Sequence, residues 1–386
     1  MVLHFERDEF TRRIAAARAS LARERLDALI LTAQESLYYL TGFDTSGFVF
    51  FQCAVLLCDA SEITLLTRRP DLEQARRTSI IDDVRLWWDR EGADPTVELK
   101  AILEEKGLKG CSVGIELRSF GLTADNYELI RRRLEGWCRL GDASHLVREL
   151  RLVKSAAEIA YVRRAAELAD HSLLAMLAEA RPGAFEGAIA AAGCVPILVG
   201  GGDPAPSGPV LGSGERALLV RSAAGFRHLD PVDQLTLEFA ASYRHYCACL
   251  MRTVGIGTPN PAQREMFEVT REAIAAMTAA ARPGCPLGSI NDAHQRVYDR
   301  AGYAQARMGA CGYALGARFR PTWMDVPPML YSGNPTPAAP GMVLFVHAIL
   351  IDAPRNLAMS LGHSILVTAN GCEVLSKLTP EYTVCT

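Results

Sequence analysis

Two ionisable side chains interrupt apolar runs in this sequence. Glu238 lies in "LTLEF", and Arg221 lies in "ALLVRSAAGF". A carboxylate shielded from water is costly unless it is paired, so we expect a raised pKa for Glu238, as is typical of a nucleophile or a general base. A structural ion pair with Arg221 or Arg252 is the alternative. Arg221 is either an ordinary edge-strand residue or a bidentate partner for a substrate carboxylate.

The elements around these residues are strands. Residues 235–253, "LTLEFAASYRHYCACLMRT", predict a β-hairpin with Glu238 on its first strand and Cys249 on its second. Tyr313 lies between glycines in "CGYALG", and glycines let a backbone and a ligand approach closely. Its phenol is a candidate acid or oxyanion donor, and core packing is the alternative.

The composition is that of an ordinary globular protein. A chain of 386 residues predicts two domains, and a formal net charge of −3 without blocks of like charge argues against nucleic-acid and membrane partners. The start "MVLHFERDEF" carries no apolar signal segment, which predicts a cytoplasmic protein. Eleven cysteines without CxxC spacing indicate reduced thiols, so a small molecule is the expected partner.

The first part of the chain alternates helix and strand patterns. Helices are predicted at 10–25, 96–106 and 126–134, separated by short apolar strands such as "LDALIL", which indicates an α/β domain. Ser155 and Glu158 form a capping box that begins a long helix. We therefore place the domain boundary within 147–154.

The second part contains an internal repeat. "AMLAEARPGAFEGAIAAA", from Ala175, matches "AMTAAARPGCPLGSINDA", from Ala276, at an offset of 101 residues. Each copy predicts a helix that ends at Arg-Pro-Gly and a second helix after it. The strand "MVLFVHAILI" and a hairpin turning at Asn370-Gly371 follow. Two related halves predict a pseudo-twofold α+β domain with a cleft between them.

The order of these motifs resembles the pita-bread superfamily of creatinase, aminopeptidase P and methionine aminopeptidase. The resemblance rests on "RELRLVKSAAEIAYVRRA", the two "ARPG" segments, "RTV", "CGYALG", "PGMVLF" and "GHSILVTANGCEVL". It implies an α/β N-terminal domain of the creatinase type over 1–150 and a pita-bread catalytic domain over 151–386.

The resemblance also locates the positions that hold two metal ions in the metallopeptidases of that superfamily. They fall on Glu238, Cys249, Tyr313, His347 and Gly362, and the substrate-binding histidine falls on Arg221. A dinuclear site of hard cations needs bridging carboxylates, and only Glu238 is one. The sequence therefore predicts an enzyme without the dinuclear metal site and without a cofactor.

In detail the chain is most similar to the ectoine hydrolase group, another branch without that site. The shared residues are Glu238, Arg252, Thr253, Gly312, Tyr313, Gly316, Pro321 and Trp323. The resemblance implies a metal-independent hydrolase that acts on a C–N bond of a small amino-acid-derived molecule. The catalytic candidates are Glu238, Tyr313, His347 and Cys249, and the substrate-binding candidates are Arg221, Arg252, Trp323, His363 and Phe43.

Two alternatives stay open. Glu238, Cys249 and His347 are acceptable ligands for one zinc or iron ion, and Cys249 with His347 could instead form a thiolate nucleophile and its base. A non-catalytic pita-bread binding module is the third hypothesis. By analogy with pita-bread homodimers, we expect a homodimer in which Phe43 helps to close the partner's pocket.

Overall fold

The computed structural model describes residues 3–59 and 62–386. The chain divides into two compact units, Met1–Arg151 and Leu152–Thr386. Each unit encloses apolar clusters of its own. Within the described residues, no helix is long and apolar enough to cross a membrane.

The N-terminal unit alternates helices and strands. Its described helices are α1 (Arg7–Glu24), α2 (Gln34–Thr41), α3 (Leu72–Thr78), α4 (Thr96–Glu105), α5 (Ala124–Leu134) and α6 (His145–Leu152). Its described strands are β1 (Ala28–Leu31), β2 (Cys53–Leu57), β3 (Thr64–Arg68), β4 (Asp83–Trp87), β5 (Ser112–Ile115) and β6 (Arg139–Asp142). The three predicted helices correspond to α1, α4 and α5.

These strands form one mixed sheet in the order β4-β3-β2-β1-β5-β6. β1 pairs antiparallel with β2 and parallel with β5. All four residues of β1 are buried, because the strand lies inside the sheet with apolar clusters on both faces. This burial explains the continuous apolar run that marks the strand in the sequence.

The C-terminal unit begins with the first of two helix pairs. The helices are α7 (Ala156–Glu179), α8 (Glu186–Val199), α9 (Pro261–Ala280) and α10 (Leu287–Arg300). Both predicted hydrogen bonds of the capping box at Ser155 and Glu158 are present. The bounds of α8 recur in α10 101 residues later, and α7 and α9 end at the same offset. The predicted repeat is therefore confirmed in its helices.

The strands of this unit form a second sheet. They are β7 (Val210–Ser213), β8 (Asp233–Tyr243), β9 (Tyr246–Ile256), β10 (Ala310–Ala314), β11 (Met329–Tyr331), β12 (Val343–Asp352), β13 (Leu357–Thr368), β14 (Gly371–Val374) and β15 (Val384–Cys385). The order is β11-β10-β12-β13-β9-β8-β7, with β14 paired to β13 and β15 to β9. The predicted hairpins β8–β9 and β13–β14 are confirmed.

The two faces of this sheet differ in character. On the helix face, apolar residues such as Val346, Ala348 and Leu361 pack against α9 and α10. Because side chains alternate along a strand, Phe345, His347 and their neighbours in register project to the opposite face. This opposite face, called the cavity face here, carries the candidate site.

Candidate active site

One transverse row of the sheet carries Glu238, Met251, Gly362 and His347. Glu238 pairs with Met251, Met251 with Gly362, and Gly362 with His347. Residues paired directly across antiparallel strands project to the same face. A cavity of about 460 Å³ is lined by Glu238, Met251 and His347, a volume typical of a small-molecule site.

Glu238 is the carboxylate of this cavity. Burial raises its pKa to about 7, against the lowering effects of the Arg221 charge and of a hydrogen bond from Tyr313. Its side chain still reaches the cavity. A carboxyl group with a pKa near neutrality exchanges protons at physiological pH, as a general base or acid requires.

Tyr313 and Trp323 form a hydrogen-bonded chain that ends at Glu238. The Trp323 indole Nε1 donates to the Tyr313 Oη at 2.8 Å, and the Tyr313 hydroxyl donates to Glu238 Oε1 over a longer 3.4 Å. Burial, with Cys249 and Glu238 nearby, raises the pKa of Tyr313 well above its usual value. The phenol therefore stays protonated and acts as a donor.

Arg221 lines the same cavity from the segment between β7 and β8. The side chain is exposed, so its guanidinium keeps its hydration and is accessible to a ligand. It acts on Glu238 through its charge. The structure therefore brings Arg221, Glu238, Tyr313, Trp323 and His347 to one cavity.

Cys249 and His347 do not form an activated pair. Burial raises the pKa of Cys249 well above its usual value, so its thiol stays protonated. Burial lowers the pKa of His347 to about 3, so its ring stays neutral. Cys249 lies in the next row of the sheet, where its backbone N–H donates to Ser364 Oγ at 2.8 Å. The thiolate alternative has no support in this geometry.

A phenyl ring fills the space over Gly362. A Cβ placed at Gly362 would lie 2.7 Å from Phe345 Cζ and 3.0 Å from Met251 Cβ. Phe345 is fully buried, and its ring centroid lies 5.5 Å from that of His347. Where the resemblance places a metal-binding glutamate, this chain therefore has a glycine with an aromatic ring packed on it.

The side chains at the site do not fit the two-metal centre of the metallopeptidases. One carboxylate, one protonated thiol, one phenol and one neutral imidazole stand at the equivalent positions. Among residues 3–59 and 62–386, no three His, Cys, Asp or Glu side chains are grouped so that they could hold a metal ion. The mononuclear arrangement of Glu238, Cys249 and His347 is therefore not formed.

Arg252 and His363 lie on the helix face, contrary to the expectation that they bind substrate. Arg252 Nη1 donates to the carbonyls of Met251 and Gly362, both at 2.8 Å. His363 Nε2 lies 3.3 Å from the Thr278 hydroxyl of α9. Each residue follows one that faces the cavity, and strand alternation turns it away.

The structure also contradicts the expected role of Phe43. Its side chain is fully buried in an apolar cluster of the N-terminal unit with Leu40 and Leu37. A ring buried in its own domain core cannot at the same time cover the pocket of a partner.

Three methionines that no sequence signal indicated also line the cavity. Met308 precedes β10, Met324 lies between β10 and β11, and Met329 begins β11. Scattered methionines are ordinarily core residues, and "RPTWMDVPPML" has no periodicity that assigns a face. Only the folded structure shows that all three line one cavity.

The C-terminal unit packs helices on one face of a sheet and carries a small-molecule-sized cavity on the other. An α/β domain precedes it, so the chain has the two-domain organisation of the creatinase and prolidase type. The chain belongs to metallopeptidase family M24, whose model matches residues 160–369, and the creatinase/prolidase N-terminal domain matches 13–153. The predicted superfamily and the predicted pita-bread fold are confirmed.

Relatives and solved structures agree with this assignment. The chain is 27% identical to the ectoine hydrolase of Halomonas elongata, over 97% of this chain and 96% of that protein. It is 23% identical to the Xaa-Pro dipeptidase of Pyrococcus furiosus, over 92% and 95%. The dipeptidase PepE of Mycobacterium ulcerans has the same fold, with a TM-score of 0.85, 23% identity and 99% coverage of both chains.

Proposed function

We propose that this protein is a hydrolase that cleaves a C–N bond of a small amino-acid-derived carboxylate, with Glu238 as its general base. The observation that supports the proposal is a carboxyl group with a pKa of about 7 that opens into a cavity beside a protonated phenol and a guanidinium. Similarity to an ectoine hydrolase supports the same type of bond.

The chemistry requires one water molecule and no other reactant. Glu238 takes a proton from water while the water oxygen bonds to the amide or amidine carbon. The Tyr313 hydroxyl, whose hydrogen bond to Glu238 is long, turns to donate to the charge that develops on the carbon's heteroatom. The protonated Glu238 then returns the proton to the leaving nitrogen as the C–N bond breaks. The products are a carboxylic acid and an amine from an amide, or an amide and an amine from an amidine.

We propose further that the reaction needs no metal ion. The donor set supports this, since one carboxylate cannot offset two divalent charges. The test is elemental mass spectrometry of protein purified without chelator, together with turnover measured before and after dialysis against a chelator. Stoichiometric zinc, iron, manganese or cobalt, or turnover lost on chelation, would contradict this part of the proposal.

The central test is Glu238→Gln, assayed by amine release from a panel of cyclic amidines and N-acyl amino acids. We expect turnover to fall by about 100-fold or more, the usual contribution of a general base. Glu265→Gln, on the exposed surface of α9, is the matched control and should keep full turnover. Full activity in Glu238→Gln would refute the role of Glu238.

A further inference from the structure

The walls of the cavity are apolar apart from a few polar groups. Met308, Met324 and Met329 line one part, and Ile349 and Trp323 add apolar surface. Met308, Met324 and Met329 are only partly buried, so their thioethers are open to a ligand. Methionine side chains adapt to apolar groups of varied shape and offer only a weak acceptor.

The charges of the cavity are sparse. Among the described residues that line it, Arg221 is the only arginine or lysine, and Glu238 is the only acid. His347 stays neutral because burial lowers its pKa to about 3. A ligand with one carboxylate therefore matches Arg221, and a guanidinium binds carboxylates in a bidentate manner.

Among the lining residues that the structure describes, only Glu238 is an acid that could pair with a free ammonium group. Such a group would have to pair with Glu238, and the paired carboxylate would no longer be available to take a proton from water. A nitrogen that is already acylated carries no charge and leaves Glu238 free. Hydrolysis of a substrate with a free amino group beside Glu238 is thus disfavoured.

We propose that the substrate is an N-acyl amino acid with a bulky apolar side chain, whose carboxylate binds Arg221 and whose side chain lies on Met308, Met324 and Met329. This inference rests on the proposed function and names the substrate class of the same site. Water and the N-acyl amino acid give a carboxylic acid and a free amino acid, so no further reactant is needed.

The test is a binding series measured by calorimetry on Glu238→Gln, which removes turnover. The ligands are N-acetylglycine, N-acetylalanine, N-acetylnorvaline and N-acetylnorleucine, with free norleucine and N-acetylnorleucine amide as comparisons. We expect affinity to rise about fourfold for each methylene that becomes buried. The uncharged amide should bind at least about tenfold more weakly. Free norleucine has no acyl group to lose, so it is measured on the wild-type protein, where Glu238 is present, and it should also bind at least about tenfold more weakly.

Two substitutions locate the recognition within the cavity. Met324→Gln and Met329→Gln keep the side-chain length but add a polar amide. In these variants the affinity should rise less with each added methylene of the ligand. Val195→Gln, on the exposed surface of α8 outside the cavity, is the control and should leave the series unchanged. Arg221→Met should abolish the difference in affinity between N-acetylnorleucine and N-acetylnorleucine amide.

The outcomes separate this inference from the proposed function. Affinity that does not rise with chain length, or free norleucine that binds as tightly as its N-acetyl form, overturns the substrate class. Hydrolysis by the wild-type protein that prefers N-acetylglycine also overturns it but retains the proposed function. Tight binding of N-acetylnorleucine without hydrolysis supports the ligand class and refutes the proposed hydrolysis.

Discussion

At the residue scale, the site depends on how the charge of Arg221 affects Glu238. Burial favours the neutral form of Glu238, and the positive charge of Arg221 favours the carboxylate. Tyr313 and Cys249 stay protonated and His347 stays neutral, so these neighbours add no charge near neutral pH. Arg221 is therefore the charge that adjusts the proton affinity of Glu238.

The pH dependence of turnover tests this relation. Because a general base must be deprotonated, kcat/KM should rise with pH through about 7, the pKa of Glu238, and level off above it. Arg221→Met removes the charge that stabilises the carboxylate, so the rise should move to higher pH. Arg264→Met on the exposed surface of α9 is the control. An unmoved or acid-shifted rise in Arg221→Met would contradict the coupling.

At the element scale, Arg252 supports the site from the helix face. Its guanidinium joins the carbonyls of Met251 on β9 and Gly362 on β13. These are the two central residues of the row that lies beneath the cavity. Arg252 is therefore a positioning residue that fixes the pairing of the two strands.

Substitution of Arg252 should lower stability. Arg252→Met leaves two carbonyls without their charged donor, and hydrogen bonds to charged groups contribute about 1.5–3 kcal/mol each. We expect a loss of about 3 kcal/mol in the free energy of unfolding, measured by urea denaturation, and partial recovery with Arg252→Lys. A loss below about 0.5 kcal/mol, no larger than that of Arg264→Met, would contradict this role.

Helices and turns were the elements that the sequence predicted best. Capping at Ser155, the repeat in α7–α10 and the turn at Asn370-Gly371 are local patterns, and all three are present in the structure. Arg252 and His363 were expected to bind substrate, but they lie on the helix face, because a shift of one residue along a strand reverses the face. Similarity to a motif gives the position of a residue in the chain but does not give the face of the sheet on which its side chain lies.

At the scale of the whole molecule, the two units correspond to two family models. Glu238 was predictable because an acid within an apolar strand is locally anomalous. The cavity itself was not, because it combines β8, β9 and β12 with methionines that are distant from them in sequence. The predicted homodimer stays a prediction, which light scattering after size-exclusion chromatography would test against the chain mass of 42.0 kDa.

The core of the N-terminal unit offers a separate prediction. Phe43 is fully buried in it, so Phe43→Ala should cost about 3–5 kcal/mol of unfolding free energy. Proteolysis of the N-terminal unit under native conditions should become faster in the same variant. Phe120→Ala removes an exposed ring of the same unit and serves as the control. Equal behaviour of the two variants would contradict the core position of Phe43.

The ring of Phe345 over Gly362 makes positions 345 and 362 dependent on each other. A glutamate introduced at position 362 would meet that ring at once, since even its Cβ would lie 2.7 Å from Cζ. A smaller residue at 345 without the new side chain would leave a cavity in a buried position. We therefore expect a carboxylate at position 362 to be accommodated only together with a smaller residue at position 345.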